Sequence, residues 1–161
     1  MKKAAYLSFY LGDYDSAAWL NHFAPKWWAD PQRGQIPCNW AFNPNLDQRL
    51  PHVLDYVRTH QSTNDWFISG DSGAGYLNPG MLTAPRLDPE VPDGWSAWTR
   101  HNRRYFQRYD LGITGFIIEG FAPFMGQKGL KAYQEFSPEG FMIGTGSASF
   151  GLIGLPAGSL P

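Results

Sequence analysis

Short strand-like segments alternate along this chain with segments that have the 3.6-residue period of a helix. The strand-like segments are residues 6–10, 36–42, 65–69, 113–118 and 141–143, and a helical segment follows each of the first four. Such alternation predicts an α/β fold with parallel strands joined by right-handed crossovers. Since an eight-unit barrel usually takes about 250 residues, we expect a partial TIM-barrel-like domain of about half a barrel, or a small open sheet.

The helix boundaries follow from capping residues and prolines. Asp15 or Ser16 is suited to cap the first helix, which we expect Pro25 to end. Residues 95–109 form the clearest helix, and a weaker one is expected near residues 129–135. Asp47 is expected to cap the second helix, whose apolar positions have helical spacing: Leu50, Val53, Leu54 and Val57.

Composition limits the classes of function. The chain has 161 residues, of which 43% are hydrophobic and 17% charged, as in a folded domain. The net charge of −1, without a Lys/Arg block, argues against nucleic acid as the main partner. There is neither a membrane-length apolar stretch nor room for a signal peptide in the apolar start. A single cysteine, Cys38, excludes an internal disulfide, and neither a cofactor nor a metal is expected.

The domain is expected to occupy residues 1–143. Residues 144–161 are rich in Gly, Pro and Ser and show no periodicity, so they are predicted to form an irregular tail. Half a barrel has open sheet edges, which can pair with another chain or with a companion domain.

Carboxylates follow three of the predicted strands, where parallel α/β folds collect their functional groups. Asp13 and Asp15 follow the first strand, Asp71 the third and Glu119 the fourth. A glutamate at the end of an apolar strand is costly to bury unless it is used or paired. All four are candidate catalytic residues. The alternative for Asp13 and Asp15 is a turn residue and a helix cap, or ligands of a hard cation.

Two further loops suit a sugar. Aromatic residues make up 16% of the chain, and sugar rings stack on aromatic faces. After the second strand, Trp40 could stack on a sugar and Asn43 could bind its hydroxyls. The equally favoured alternative is core packing for Trp40 and turn chemistry for Asn43.

The segment after the third strand is the most specific in the chain. Three glycines fall within six residues at positions 70–75, which allows close approach to a ligand or positive φ angles. Ordinary turns need fewer glycines, so this loop is predicted to bind substrate. Its candidate binding residues are Ser72, Gly73, Gly75, Tyr76 and Asn78.

Residues 73–79, Gly-Ala-Gly-Tyr-Leu-Asn-Pro, resemble the motif that names the GxGYxYP family. Both glycines, Tyr76 and Pro79 match, and Asn78 replaces the second tyrosine. Residues 9–15, 40–44 and 67–72 also resemble the family, and the likeness extends over about residues 4–143. The resemblance is to the C-terminal domain of glycoside-hydrolase-like proteins. It implies a carbohydrate substrate. Domains of the family are longer than this chain and are normally joined to an N-terminal partner domain, so the resemblance also implies a fragment or a shortened relative.

On this hypothesis two carboxylates, located at the carboxyl ends of different strands, would together hydrolyse a glycosidic bond. Glu119 or Asp71 would be the general acid, and Asp13 or Asp15 the base or nucleophile. A non-catalytic carbohydrate-binding or structural domain, using Trp40 and the loop around Tyr76, is the main alternative.

A serine hydrolase with Ser72 as its nucleophile is a weaker alternative. It arises because residues 70–73 resemble a nucleophile loop. The nucleophile elbow requires a helix directly after the serine, and Gly75, Pro79 and Gly80 oppose one. None of the four histidines lies in a recognisable triad setting: His22, His52, His60 and His101.

Overall fold

The structure, a computed structural model, describes residues 7–14, 16–118, 122–145 and 149–153, with the backbone alone at 13, 14, 144, 145 and 149–153. Its strands form one sheet. They are β1 (Tyr10–Tyr14), β2 (Cys38–Phe42), β3 (Asp65–Ser69), β4 (Ile113–Ile118), β5 (Gly140–Thr145) and β6 (Ser149–Ile153).

Strands β1 to β5 are parallel and lie side by side in sequence order. Each is joined to the next by a segment that contains a helix, so they form a half-barrel, as the alternation predicted. Strand β6 pairs antiparallel with β5, which corrects the expectation of an irregular tail at Ser149–Ile153. Among the described strands β1 has only β2 as a neighbour, so its outer edge ends the sheet.

Four α-helices follow strands β1 to β4: α1 (Ala17–Trp28), α2 (Pro51–Thr59), α3 (Trp95–Tyr109) and α4 (Gly126–Phe136). One buried cluster joins α1 and α2 to β2, with Leu20, Trp28 and Leu54 among its members. A second cluster joins α3 and α4 to β4 and β5, around Tyr133 and Phe141. Apolar burial between the sheet and its helices therefore holds the half-barrel together. No helix in the described ranges has the length and hydropathy needed to cross a bilayer.

The predicted bounds of β3, α3 and β4 are confirmed, but those of β1 are wrong. This strand was expected at residues 6–10 and is found at Tyr10–Tyr14. Its position is fixed by pairing, because Tyr10 lies opposite Asn39 and Tyr14 opposite Phe42. Asp13 consequently belongs to the strand rather than to the loop after it.

Two helix boundaries also differ from expectation. Pro25 lies inside α1, which continues to Trp28 because the buried Trp28 ring holds the last turn against the core. Asp47 does not cap α2, since residues Pro44–Gln48 form a separate 3₁₀ turn. Helix α2 begins at Pro51, a residue suited to the first helical position, and Asp47 pairs with Arg108 at 3.0 Å.

A buried ion pair stabilises the amino-terminal end of β3. Asp65 pairs with Arg33 and accepts hydrogen bonds from the Trp40 indole (2.8 Å) and the Ser62 backbone N–H (2.6 Å). Burial by itself raises the pKa of Asp65, but these hydrogen bonds and the Arg33 charge together lower the pKa below its ordinary value. Every described contact of this carboxylate therefore favours its ionised form.

Candidate functional site

The carboxyl ends of β2 and β3 bring Asn43 and Asp71 together. Phe42 lies opposite Ser69 in the parallel register, so the residues that follow them emerge at the same level. The Asn43 Nδ2 donates to Asp71 Oδ2 at 3.4 Å, and the residues are only 2% and 0% exposed. The sequence predicted both as site residues, and the structure makes them neighbours. We call this end of the sheet, where the carboxyl ends of the parallel strands lie, the rim.

The backbone turns left-handed as soon as β3 has ended. Asp71 has φ 53°, Ser72 has φ 66° and Gly73 has φ 118°. Two consecutive non-glycine residues in this region are uncommon, and each costs about 1–3 kcal/mol unless its surroundings enforce it. Such strain collects at functional sites, and here it coincides with a fully buried carboxylate.

Ser72 joins the end of β4 to the end of β3. Its hydroxyl donates to the Leu77 carbonyl and accepts from the Ile118 N–H, both at 2.8 Å. Its N–H donates to the Phe116 carbonyl at 2.7 Å. The hydroxyl is thus bonded to backbone on both sides. The predicted role of Ser72 as a substrate contact or nucleophile does not fit this position.

Tyr76 is presented to solvent above the buried turn. The residue is 61% exposed, whereas Gly73 and Ala74, just before it, are buried. Gly75 is partly buried and lies against α3, where an added Cβ would meet the Trp98 ring at 3.4 Å. Of the predicted binding residues in this loop, Tyr76 is therefore the most accessible to a ligand.

Gly80, two residues after Asn78, brings this loop against the segment after β4. Asn78 is partly buried and precedes the 3₁₀ turn Pro79–Leu82. Gly80 approaches the Pro123 carbonyl so closely that a Cβ at this position would overlap it. The loops after β3 and β4 are consequently in contact, although they are far apart in the sequence.

Trp40 does not lie at the rim with these residues. It is 5% exposed, packs in the core with Trp28 (ring centroids 4.9 Å apart), and donates its indole N–H to Asp65. Because alternate residues of a strand face opposite sides of the sheet, Trp40 shares the helix-facing side with Phe42. The stacking role predicted for Trp40 is corrected to core packing, the alternative that the sequence left open.

The remaining three carboxylates are only partly located. Asp13 lies on β1 one residue before Tyr14, which is level with the end of β2, and only its backbone is described. Asp15 and Glu119 fall outside the described residues. Their chain neighbours Tyr14 and Ile118 do reach the rim. In the described part of the chain, no group of three or more His, Cys, Asp or Glu side chains is placed to hold a metal ion.

Three polar residues that the sequence analysis missed contact the glycine-rich loop. Asn45, His101 and Asn102 hydrogen-bond the peptide groups of Ala74, 27 to 29 residues away in the sequence. Asn45 follows β2, whereas His101 and Asn102 lie on α3. The sequence identifies these three residues only as parts of a turn or a helix. Their shared contact with Ala74 is seen only in the folded structure.

The loop sequence and the half-barrel agree with the comparisons to known proteins. The model of the GxGYxYP putative glycoside hydrolase C-terminal domain matches residues 3–150. The chain belongs to the GxGYxYP family. Gly73, Gly75, Tyr76 and Pro79, which match the naming motif of the family, lie in the turn and loop beside Asp71.

A solved structure shares the fold of this GxGYxYP domain. It is described as a putative hydrolase from Bacteroides thetaiotaomicron VPI-5482, with a TM-score of 0.60 and 18% sequence identity. The match covers 84% of this chain and 25% of that chain, so this chain spans about a quarter of the length of the protein it matches. No curated protein matches the chain.

Proposed function

We propose that this domain contributes to a carbohydrate-active hydrolase of the glycoside hydrolase type, with its reactive carboxylates at the rim. The observation that carries the proposal is Asp71, a fully buried carboxylate on strained backbone where β3 ends. Two consecutive non-glycine residues in a left-handed turn, Asp71 and Ser72, cost free energy, and such strain collects at functional sites. A use of the Asp71 carboxyl group in chemistry accounts for this strain, and the description of the family supports the same class.

The proposed roles follow the chemistry of glycosidic bond cleavage. One carboxyl group protonates the leaving oxygen, and a second activates water or attacks the anomeric carbon. Asp71 or Glu119 is the proposed general acid, and Asp13 or Asp15 the proposed base or nucleophile. The Asn43 amide, which donates to Asp71 at 3.4 Å, restricts the orientation of this carboxyl group.

Tyr76 is the proposed stacking residue for the sugar. Its exposed ring follows the buried turn that begins at Asp71, so it offers an apolar face to a ligand and a hydroxyl for polar contacts. Gly73, Gly75 and Asn78 shape the loop that carries the ring. Tyr76 thereby takes the stacking role that the sequence predicted for Trp40, in addition to its own predicted role in substrate binding.

The alternative is a domain that binds carbohydrate without cleaving it. The observation that favours it is the length of the chain, since the protein whose solved structure it matches is about four times as long as the matched part. Catalytic groups could then come from elsewhere in a longer protein. The alternative keeps Tyr76 as a binding residue but removes the catalytic role of Asp71.

Reducing-end release and binding, measured together, test the proposal. Maltohexaose, cellohexaose, xylohexaose and chitohexaose are incubated with the wild-type chain and with the Asp71→Asn variant. Asp110→Asn is the matched control, because Asp110 also has a left-handed backbone (φ 50°) but is exposed at the end of α3. We expect release by wild type and by Asp110→Asn, and a loss of about a hundredfold or more in Asp71→Asn. Binding without release by wild type would favour the binding domain instead.

A further inference from the structure

The peptide groups of Ala74 are held by side chains on both sides. The Ala74 N–H donates to Asn102 Oδ1 at 2.7 Å. The Ala74 carbonyl accepts from His101 Nε2 at 2.7 Å and from Asn45 Nδ2 at 3.2 Å. An ordinary turn is closed by its own backbone, whereas here three side chains from two other elements bond one loop residue. We call these three residues the Ala74 clamp.

The clamp residues are themselves fixed in orientation. Asn102 is fully buried, and its Nδ2 donates to the Trp98 carbonyl at 2.9 Å, which leaves Oδ1 to accept from Ala74. The His101 ring lies stacked on Trp98 (5.7 Å) and edge-on to Tyr105 (5.1 Å). A carbonyl oxygen only accepts, so His101 Nε2 must carry the hydrogen. The clamp thus presents fixed donors and a fixed acceptor to the loop.

The clamp also explains the first glycine of the motif. A Cβ at Gly73 would overlap Asn102 Oδ1, and φ 118° at this position further disfavours any side chain. A Cβ at Gly75 would only touch the Trp98 ring, at 3.4 Å. The sequence suggested that these glycines let a ligand approach the backbone. In the structure Gly73 lets α3 approach it, so this glycine serves the clamp.

We propose that Asn45, His101 and Asn102 are positioning residues that hold Tyr76 at the rim as a stacking platform for a sugar ring. This inference rests on the proposed carbohydrate function and adds the residues that determine how the ring is presented. Tyr76 is two residues beyond Ala74, and its ring is exposed on a loop whose base is buried and bonded. A ring ordered in advance loses less conformational entropy when a ligand stacks on it.

A purely structural role and a positioning role differ in what they predict for Tyr76. If the clamp only stabilises the fold, its loss weakens glycan binding to the same degree whether or not Tyr76 is present. If the clamp acts by placing the Tyr76 ring, its loss has no further effect once the ring has been removed. A double-mutant cycle between a clamp residue and Tyr76 separates the two.

His101→Phe is the suitable clamp variant, because it keeps a ring between Trp98 and Tyr105 and removes only the donor to Ala74. Binding of the four hexasaccharides is measured for wild type, His101→Phe, Tyr76→Ala and the double variant. We expect His101→Phe to weaken binding about three- to tenfold in the presence of Tyr76 and less than twofold in its absence. His101→Gln retains an N–H donor and should recover part of the affinity. Equal losses in both backgrounds would overturn the proposal.

Amide hydrogen exchange provides a readout that does not depend on a sugar. In Asn102→Ala, which removes the acceptor of the Ala74 N–H, exchange at Ala74 should accelerate at least severalfold, while exchange in β2 and β3 stays as in wild type. Unchanged exchange at Ala74 would show that the clamp does not order the loop and would overturn the inference. If wild type binds none of the sugars, the proposed function and the stacking role fail together. Hydrogen exchange then still decides whether the clamp orders the loop.

Discussion

Strand β3 carries a buried aspartate near each end, and the two are held in different ways. Asp65 opens the strand with an ion pair to Arg33 and hydrogen bonds from Trp40 and Ser62. Asp71 follows the strand on a left-handed backbone, and the Asn43 amide contacts it at 3.4 Å. Asp65 lies among contacts that favour its ionised form, whereas Asp71 lies on a left-handed backbone just after the strand.

The difference agrees with a general property of parallel barrels. Residues at the amino-terminal ends of the strands support stability, whereas residues at the carboxyl-terminal ends carry the chemistry. The contacts of Asp65 lower its pKa and keep it ionised. The turn after β3 instead keeps Asp71 in place through Ser72, whose bonds reach β4 and the loop beyond. Substitution of Asp65 should therefore lower the stability of the fold, whereas substitution of Asp71 should leave stability nearly unchanged and abolish turnover.

The largest loss of stability is expected for Asp65→Asn. This change leaves the largely buried Arg33 guanidinium without its carboxylate, and breaking a buried ion pair in this way costs about 3–5 kcal/mol. Urea denaturation followed by circular dichroism measures the loss. A change below about 1 kcal/mol would mean that the amino-terminal end of β3 does not depend on this pair.

The contribution of Asp65 should also depend on pH. Its folded pKa is below the unfolded value of about 3.9, so its contribution is fully present above that pH and is lost as the pH falls through the folded pKa. The gap in unfolding free energy between wild type and Asp65→Asn should be widest at neutral pH and narrow below about pH 4. Denaturation curves from pH 7 down to pH 2 test this, and a constant gap would contradict it.

The opposite end of β3 should tolerate replacement of its aspartate by asparagine. Asp71→Asn keeps the shape of the side chain and an oxygen that can accept from Asn43, and asparagine accepts a left-handed backbone, so we expect stability within about 1 kcal/mol of wild type. Asp110→Asn, with a similar φ angle at an exposed position, is the control for the backbone effect. A loss of several kcal/mol in Asp71→Asn alone would make Asp71 a second structural anchor.

The smallest effect is expected at an exposed ion pair on the helical layer. Arg103 and Glu135 pair at 2.9 Å, and their side chains are 51% and 53% exposed. Glu135→Gln should change the unfolding free energy by less than about 0.5 kcal/mol, because water and salt screen such pairs. A loss comparable to that of Asp65→Asn would mean that burial is not what distinguishes the two pairs.

Local patterns predicted much of this architecture. The bounds of β3, α3 and β4 are marked by clear periodicity and by flanking turn residues, and they were predicted correctly. The position of β1 was missed because pairing with β2 sets it, and Trp40 was assigned to the site because a sequence does not say which face a strand buries. Both errors arise where tertiary contacts override local preference.

The site was predicted in outline but not in its supporting contacts. Asp71 and Tyr76 stood out because the glycines around them are unusual in number. The Ala74 clamp had no such signal, since Asn45, His101 and Asn102 come from segments distant in sequence. Contacts between distant segments depend on the packing of α3 against the rim, and one sequence does not specify them.

The most direct test compares Asp65→Asn and Asp71→Asn in two assays on the same preparations, urea denaturation and release of reducing ends from a hexasaccharide that wild type cleaves. The account predicts that Asp65→Asn loses stability but, where it remains folded, keeps its turnover, whereas Asp71→Asn keeps its stability and loses turnover. Equal turnover in wild type and folded Asp71→Asn would contradict the account, because the strained aspartate after β3 would then have no part in the chemistry.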